Sequence, residues 1–415
     1  MWNIVGQRGY MFIKLCQVLL KVGLILKWYL HLHRINRYDF DFVNRYNFSY
    51  GGFSMKMIAV FHNKGGVGKS TLLFHTSCAL AELGHKVLMM DLDPQSNLSL
   101  YGLNDEELQD IWEKEEEVIT DGFPIGTNTF NITKNEIMNL PRTIHFLLKP
   151  VESGVDDYNN LPPAVKLNKN LHLIPGRITL SQFEGVLADR WSISPDENVL
   201  AIRTITQFRT IATRYAEKYG YEYVFVDVSP SLGLLNRAII TSCDAFFMPA
   251  TPDLFSMYGI RNIGQSLEKW KKSYQTLYDG VNPQLKPLFT SDFVKFAGYT
   301  IYNARGRKDQ PLGLAKAHRD FAERIPEEIN EWILKEMIPA RIRGKIKNSI
   351  GGDAVWSSHN TYPTMAQKYK CPMWMIPSKE LEEADKLTVN SNRTRFLDTQ
   401  KAYYTFANDL LDRIE

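Results

Sequence analysis

The stretch Asn63-Lys64-Gly65-Gly66-Val67-Gly68-Lys69-Ser70-Thr71 constrains this chain more than any other. An apolar run, Met57-Ile58-Ala59-Val60-Phe61, precedes it, and an apolar-periodic stretch from Leu72 to Leu83 follows. That order predicts a strand, a glycine loop and a helix, the context in which a backbone can wrap phosphate. Glycines let N–H groups turn inward around phosphate oxygens, and the helix N-terminus adds partial positive charge. In such a loop Lys69 reaches the β- and γ-phosphates of a nucleotide, and the Ser70 hydroxyl holds Mg²⁺. Against the usual G-x-x-x-x-G-K-[ST] pattern, Asn63 stands in place of the first glycine. A second lysine, Lys64, follows it.

From Lys56 onward, apolar runs alternate with helix-period stretches. This is the pattern of an α/β fold, a doubly wound, mainly parallel sheet flanked by helices. Strands are expected over 57–62, 87–91, 171–174, 223–228, 245–250, 298–303 and 372–376. Helices are expected over 69–83, 180–190, 200–219, 232–242, 258–278 and 395–413, with an acidic surface helix over 104–117. Two segments depart from the alternation: the polar loop 120–133, and 339–370, which reads as an insertion without a clear period. The expectation is one domain over 55–415. In a doubly wound sheet, ligands bind at the carboxyl ends of the strands. Gly65–Thr71, Asp93, Asp227 and Asn303 all fall at or just beyond such ends.

Composition narrows the classes. The net charge of +3 is small, so a nucleic-acid surface would have to be a local patch. The four cysteines are far apart and form no C-x-x-C pair, which argues against metal or iron–sulfur ligation and fits a reduced cytoplasmic setting. Residues 1–54 are atypical: 11–32 is mostly apolar, but Lys14, Lys21 and Lys27 interrupt it, which disfavours a transmembrane helix. Either this extension is dispensable, with the biological start at Met55 or Met57, or it is a basic amphipathic helix on a membrane surface.

Lys64 to Thr71 resembles the deviant Walker A motif of the ParA/MinD family of P-loop ATPases, closer to ParA than to MinD. Val87 to Asn97, with Asp91-Leu92-Asp93-Pro94-Gln95, is similar to that family's next strand and switch. Tyr223 to Gly233 resembles its Walker B strand and second switch, and Phe246 to Pro252 the strand after it. Tyr299 to Arg305 resembles, more loosely, the strand whose Asn lies by adenine. The resemblance implies an ATPase binding ATP and Mg²⁺ through Lys64, Gly65, Gly66, Val67, Gly68, Lys69, Ser70 and Thr71. Lys64 would contact nucleotide across a homodimer interface, Asp93 would position the attacking water, and Ser70, Asp91 and Asp227 would serve the metal, the two Asp through water. Asn303 would meet adenine, although Asn at a strand end is also a common turn former. The run Met375 to Ser378 resembles a second adenine-side loop only weakly.

The resemblance further implies an ATP-dependent dimerisation switch, slow on its own and raised by a ParB-like activator. Such a switch binds DNA non-specifically in the ATP state, is nucleoid-associated and serves plasmid or chromosome partition. The basic cluster Arg341, Arg343, Lys345 and Lys347 is a candidate phosphate-backbone contact or a solvated loop, and Arg305, Arg307 and Lys308 share that ambiguity. A role in a mobile element or phage defence would look the same at these motifs, and a small-molecule ligase on the same fold stays open. A MinD-like membrane oscillator is disfavoured by the acidic carboxy-terminal run Asp409 to Glu415, and an iron–sulfur carrier by cysteine spacing.

Overall fold

The structure is a computed structural model that describes residues 55–121, 138–194, 198–304, 316–356 and 359–415. The expectations for 1–54, for most of the loop 120–133 and for Arg305, Arg307 and Lys308 lie outside the described residues. The strands are β1 (Lys56–Val60), β2 (Val87–Asp91), β3 (Val165–Lys166), β4 (Leu171–Ile174), β5 (Tyr223–Asp227), β6 (Ala245–Ala250) and β7 (Lys295–Ile301). They form one sheet in the order β3-β4-β2-β5-β1-β6-β7. Only the β3–β4 pair is antiparallel; the rest of the sheet is parallel.

Helices cover both faces. They are α1 (Lys69–Glu82), α2 (Asp105–Asp121), α3 (Ile144–Glu152), α4 (Phe183–Ile193), α5 (Val199–Tyr219), α6 (Leu234–Thr241), α7 (Leu254–Gly280), α8 (Lys316–Trp332), α9 (Tyr362–Lys368), α10 (Glu383–Ser391) and α11 (Arg393–Ile414). With both faces covered, the central strands read as continuous apolar runs, and every residue of β2, β5 and β6 is buried. α1 is buried on nearly all sides, between the sheet and α11, which contributes Phe396, Tyr403, Phe406 and Leu410. The acidic helix α2 starts with a reciprocal cap: Glu107 N donates to Asn104 Oδ1 at 2.7 Å, and Asn104 N to Glu107 Oε2 at 2.9 Å.

The strand expected over 372–376 is not a strand. It is the 3₁₀ turn Met373–Ser378. Pro372 and Pro377 lack amide donors for a ladder, and the Met373 amide donates to His75 Nε2 at 3.1 Å instead. The free edge of β7 is served otherwise: the Ile350 amide donates to Tyr299 O at 2.8 Å. That contact anchors the 339–370 segment, whose Ile342, Ile346 and Ile350 recur every four residues and are buried.

The topology positions the site. The chain leaves β1 toward β2 on one side and later returns to build β6 and β7 on the other, so the winding reverses at β1. β2, β5 and β1 lie side by side, and their carboxyl ends bring Asp91, Asp227 and the glycine loop together.

Candidate nucleotide-binding site

The loop after β1 turns through Gly66 and Gly68 at φ 73° and 82°, left-handed values that suit glycine. Gly68 is doubly constrained, because a Cβ there would lie 2.2 Å from the Tyr302 ring. It is also the N-cap of α1, and no side chain caps that helix. The first amides of α1 are thus left to bind an anion, which is what a phosphate group would supply. Within the loop, the Lys64 amide donates to His62 Nδ1 at 3.0 Å. Burial, then Lys69 and Lys64, hold the His62 imidazole down at about 3, so it is neutral and accepts that bond.

Asp91 and Asp227 are opposite one another in the register of β2 and β5, and both are fully buried. Asp91 Oδ2 accepts from Ser99 N at 2.7 Å and Ser99 Oγ at 2.6 Å, while its Oδ1 is buried without a partner. Neither carboxylate oxygen of Asp227 completes a hydrogen bond, although nearby Ser70 and Lys69 favour its ionised form. Burial pushes Asp227 up to about 7, with Asp93 adding to the rise. Burial, then Asp227, pushes Asp91 well above the carboxylate range, against the pull of Ser99. β2 stops at Asp91, so Asp93 sits in the following turn, where its Oδ1 accepts from the Gln95 amide at 2.9 Å. Lys69 is buried among these acids: burial lowers its pKa, and Asp227 and Asp93 raise it.

Buried carboxylates that repel one another and lack donors call for a cation. The available oxygens, from the Ser70 hydroxyl, Asp227 and Asp91 Oδ1, suit Mg²⁺, a hard ion that takes oxygen ligands and keeps several waters. Among the described residues no set of three acidic, His or Cys side chains forms a metal cage. Such a cage is not needed where phosphate and water complete the shell. The residues present therefore fit a nucleotide with Mg²⁺.

Lys64 does not join this cluster. Its Nζ donates to Thr251 Oγ1 at 2.6 Å and pairs with Asp253. Asp253 is also the N-cap of α7, its Oδ1 accepting from Ser256 N at 3.0 Å. Two groups the sequence reading passed over, Thr251 and Asp253, thus govern the second lysine. An Asp-x-x-Ser helix start signals the cap, but no pattern announces a partner so far along the chain. Ser99 and Tyr101 were also passed over; Tyr101 Oη donates to Thr71 Oγ1 at 2.9 Å and ties the segment after β2 to α1.

Asn303 lies two residues past β7, exposed and at φ 59°, in a turn of the kind that Asn tolerates. Its neighbour Tyr302 packs on Gly68 and shares a 3.0 Å hydroxyl contact with Tyr403 of α11. Of the basic cluster, Arg341 donates to the Asp412 and Arg413 carbonyls at the end of α11, and Lys345 pairs with Asp412. Of these four cations Arg341 therefore caps the C-terminus of α11 and Lys345 is spent on its Asp412 side chain, while Arg343 and Lys347 are exposed.

A family model described as an AAA domain matches residues 55–280. An uncharacterized protein of Methanocaldococcus jannaschii is 28% identical over 234 residues, 56% of this chain and 71% of that protein. The sporulation initiation inhibitor protein Soj of Bacillus subtilis is 25% identical over 53% of this chain and 68% of its own. The chromosome partitioning protein ParA of Caulobacter vibrioides is 25% identical over 60% of this chain and 79% of its own. Among solved structures, protein DIP2308 from Corynebacterium diphtheriae superposes with a TM-score of 0.51 at 26% identity, covering 68% of this chain and 90% of that one.

Proposed function

The chain belongs to the AAA-domain family of P-loop ATPases, in its ParA/MinD branch, and from that premise we propose that it is an ATP-dependent dimerisation switch. The observation that carries this reading is the division of labour between the two loop lysines. Lys69 lies among the acids beside the glycine cradle, whereas Lys64 is held away from them by Asp253 and Thr251. A lysine in the loop that does not serve its own cradle is available to a second copy. Leu254, Phe255 and Tyr258, next to Asp253, are 49%, 71% and 56% exposed, an apolar surface suited to burial between two copies.

In this reading the amides of Gly65 to Gly68 and Lys69 bind the phosphates, and Ser70 ligates Mg²⁺ directly, with Asp91 and Asp227 acting through water. Mg²⁺, when bound, neutralises phosphate charge as the terminal group leaves. Asp93 orients the attacking water, and Ser99 holds Asp91 so that its Oδ1 stays aimed at the metal's shell. Lys64 leaves Asp253 to reach the phosphates in the partner copy, and hydrolysis returns it. Asn303, exposed in its turn, is the residue offered to adenine. Among the described residues of the matched motifs no arginine stands out as a built-in accelerator, so turnover is slow and a ParB-like protein raises it.

The same premise supports non-specific DNA binding by the ATP form, nucleoid association and a partition role, with residues 55–415 acting as one unit. Arg343 and Lys347 are the members of the basic cluster left for phosphate contact, since Arg341 and Lys345 serve α11. ATP turnover with and without non-specific duplex DNA tests this reading. Stimulation by DNA or by a ParB-like protein supports it. Indifference to both, with turnover raised by a small carboxylic acid, would replace it with a ligase on the same fold.

A further inference from the structure

At the other end of the sheet from the glycine cradle, the segments that enter β2, β4 and β5 enclose a hollow of about 290 Å³. Tyr219 and the buried Tyr221 line its floor, and the exposed Lys86, Lys166 and Lys169 its rim. Among the described residues no carboxylate lines it. Glu222, next to Tyr221 in sequence, is engaged by His85 Nδ1 at 2.9 Å and the Lys86 amide at 3.1 Å.

The three ammonium groups are presented by ordered backbone. Lys166 faces His172 across the β3–β4 pair. Lys169 sits in the turn 167–170, closed by the Leu167 and Asn168 amides donating to Leu171 O at 3.0 and 3.2 Å. Lys86 Nζ lies 3.4 Å from Tyr219 O. A fourth cation, Lys218, stands with its Nζ 5.0 Å from the Tyr219 ring centre.

His172, also in the lining, has a buried Nδ1 with no hydrogen-bond partner, and its ring meets that of Tyr221 edge-on at 5.5 Å. Burial, then Lys166 and Lys86, keep its imidazole below the ordinary value, so the ring is neutral at pH 7.

We propose that this hollow is a second ligand site that takes a phosphate group together with an unpaired nucleobase. Clustered ammonium groups without acids suit phosphate. The half-buried Tyr219 offers a ring edge or face to a planar base regardless of its identity. The volume is near the ~300 Å³ at which small-ligand pockets begin, room for one nucleotide unit. Free mononucleotide and an exposed residue of a nucleic-acid strand share this chemistry. The site does not depend on the dimerisation switch, since its residues lie away from Lys64 and the cradle.

The test uses full-length protein carrying Lys69→Ala, so that the cradle does not compete, without ATP and at low salt. Three probes are titrated: a labelled ten-residue oligothymidylate, its duplex with oligodeoxyadenylate, and thymidine monophosphate. Adding Lys166→Glu with Lys169→Glu weakens binding at least tenfold, and Lys86→Glu, at a separate position, weakens it severalfold, with unchanged thermal midpoints. Loss on the oligothymidylate identifies a strand as the source, and loss confined to thymidine monophosphate identifies the free nucleotide. Tyr219→Leu weakens whichever of these binds and leaves the duplex unaffected. The proposal is overturned if no probe binds the parent, if charge reversal leaves affinities unchanged, or if only the duplex is affected.

Discussion

At the scale of single residues, the site is a set of buried charges held in want of a cation, with one lysine deliberately parked elsewhere. Lys69 is the cation that the acids already have, so Lys69→Ala abolishes ATP binding, whereas Asp93→Ala keeps ATP and stops turnover. Isothermal titration with ATP and Mg²⁺ separates the two; equal loss of binding in both variants contradicts the assigned roles. The Lys64–Asp253 pair is partly exposed, at 25% and 37% of the side chains, so its strength is of the order of 1 kcal/mol at most. Asn caps helices as well as Asp does, so Asp253→Asn spares α7 and releases Lys64. The ATP-bound dimer then tightens by a few-fold, read by sedimentation at several concentrations; weaker or unchanged association contradicts the latch. Much of this was visible in sequence, because Lys64, Lys69, Asp91, Asp93 and Asp227 stand at strand ends in motifs whose chemistry fixes their neighbours. What holds them was not. Ser99, Thr251 and Asp253 act through contacts made only once distant segments meet, and small polar residues near turns have local uses that hide such roles.

At the scale of elements, the strands buried on both faces were the easiest to find, since covered parallel strands are unbroken apolar runs. The segment after Pro372 misled for the same reason: Met373, Trp374 and Ile376 are apolar because they pack in the core with α11, not because they pair in the sheet. The helix α3 went unpredicted, although it carries a Thr143 cap, because Pro150 interrupts its pattern. The glycine loop depends on its contact with Tyr302. Gly68→Ala puts a Cβ 2.2 Å from that ring and strains φ 82°, costing about 2 kcal/mol or more. Thermal melts with and without ATP check this; a native midpoint with native ATP affinity contradicts the packing described. Farther off, Glu115 of α2 accepts from Thr143 N at 2.7 Å and Thr143 Oγ1 at 2.6 Å at the start of α3. Burial is the main cause that pushes Glu115 up to about 7, against Thr143 and Arg177. A carboxyl raised in the folded state favours folding fully below its unfolded value, ~4.5, and loses that contribution as pH rises toward 7. Glu115→Gln removes that slope, so its stability relative to wild type rises by roughly 2 to 3 kcal/mol between pH 5 and pH 8. Denaturant melts at pH 5 and pH 8 read the difference; parallel pH dependence in both proteins contradicts it.

At the scale of the whole molecule, the sheet separates two kinds of chemistry. Its carboxyl end holds the nucleotide cradle, the parked lysine and the exposed apolar start of α7; its amino end holds the lysine-rimmed hollow. The first end was foreseeable, because a doubly wound sheet gathers ligands at its winding reversal. The second was not, because Lys86 lies far in sequence from Lys166 and Lys169 in a chain with little net charge. The basic cluster that did stand out in sequence spends Arg341 and Lys345 on the end of α11. The central claim is that ATP joins two copies through Lys64. Light scattering after size exclusion tests it most directly, comparing Asp93→Ala with the double variant Asp93→Ala, Lys64→Ala, each in ATP or ADP with Mg²⁺. Only Asp93→Ala in ATP is expected to be a dimer, with the double variant monomeric while still binding ATP. A monomer throughout, or a dimer that survives loss of Lys64, would contradict it.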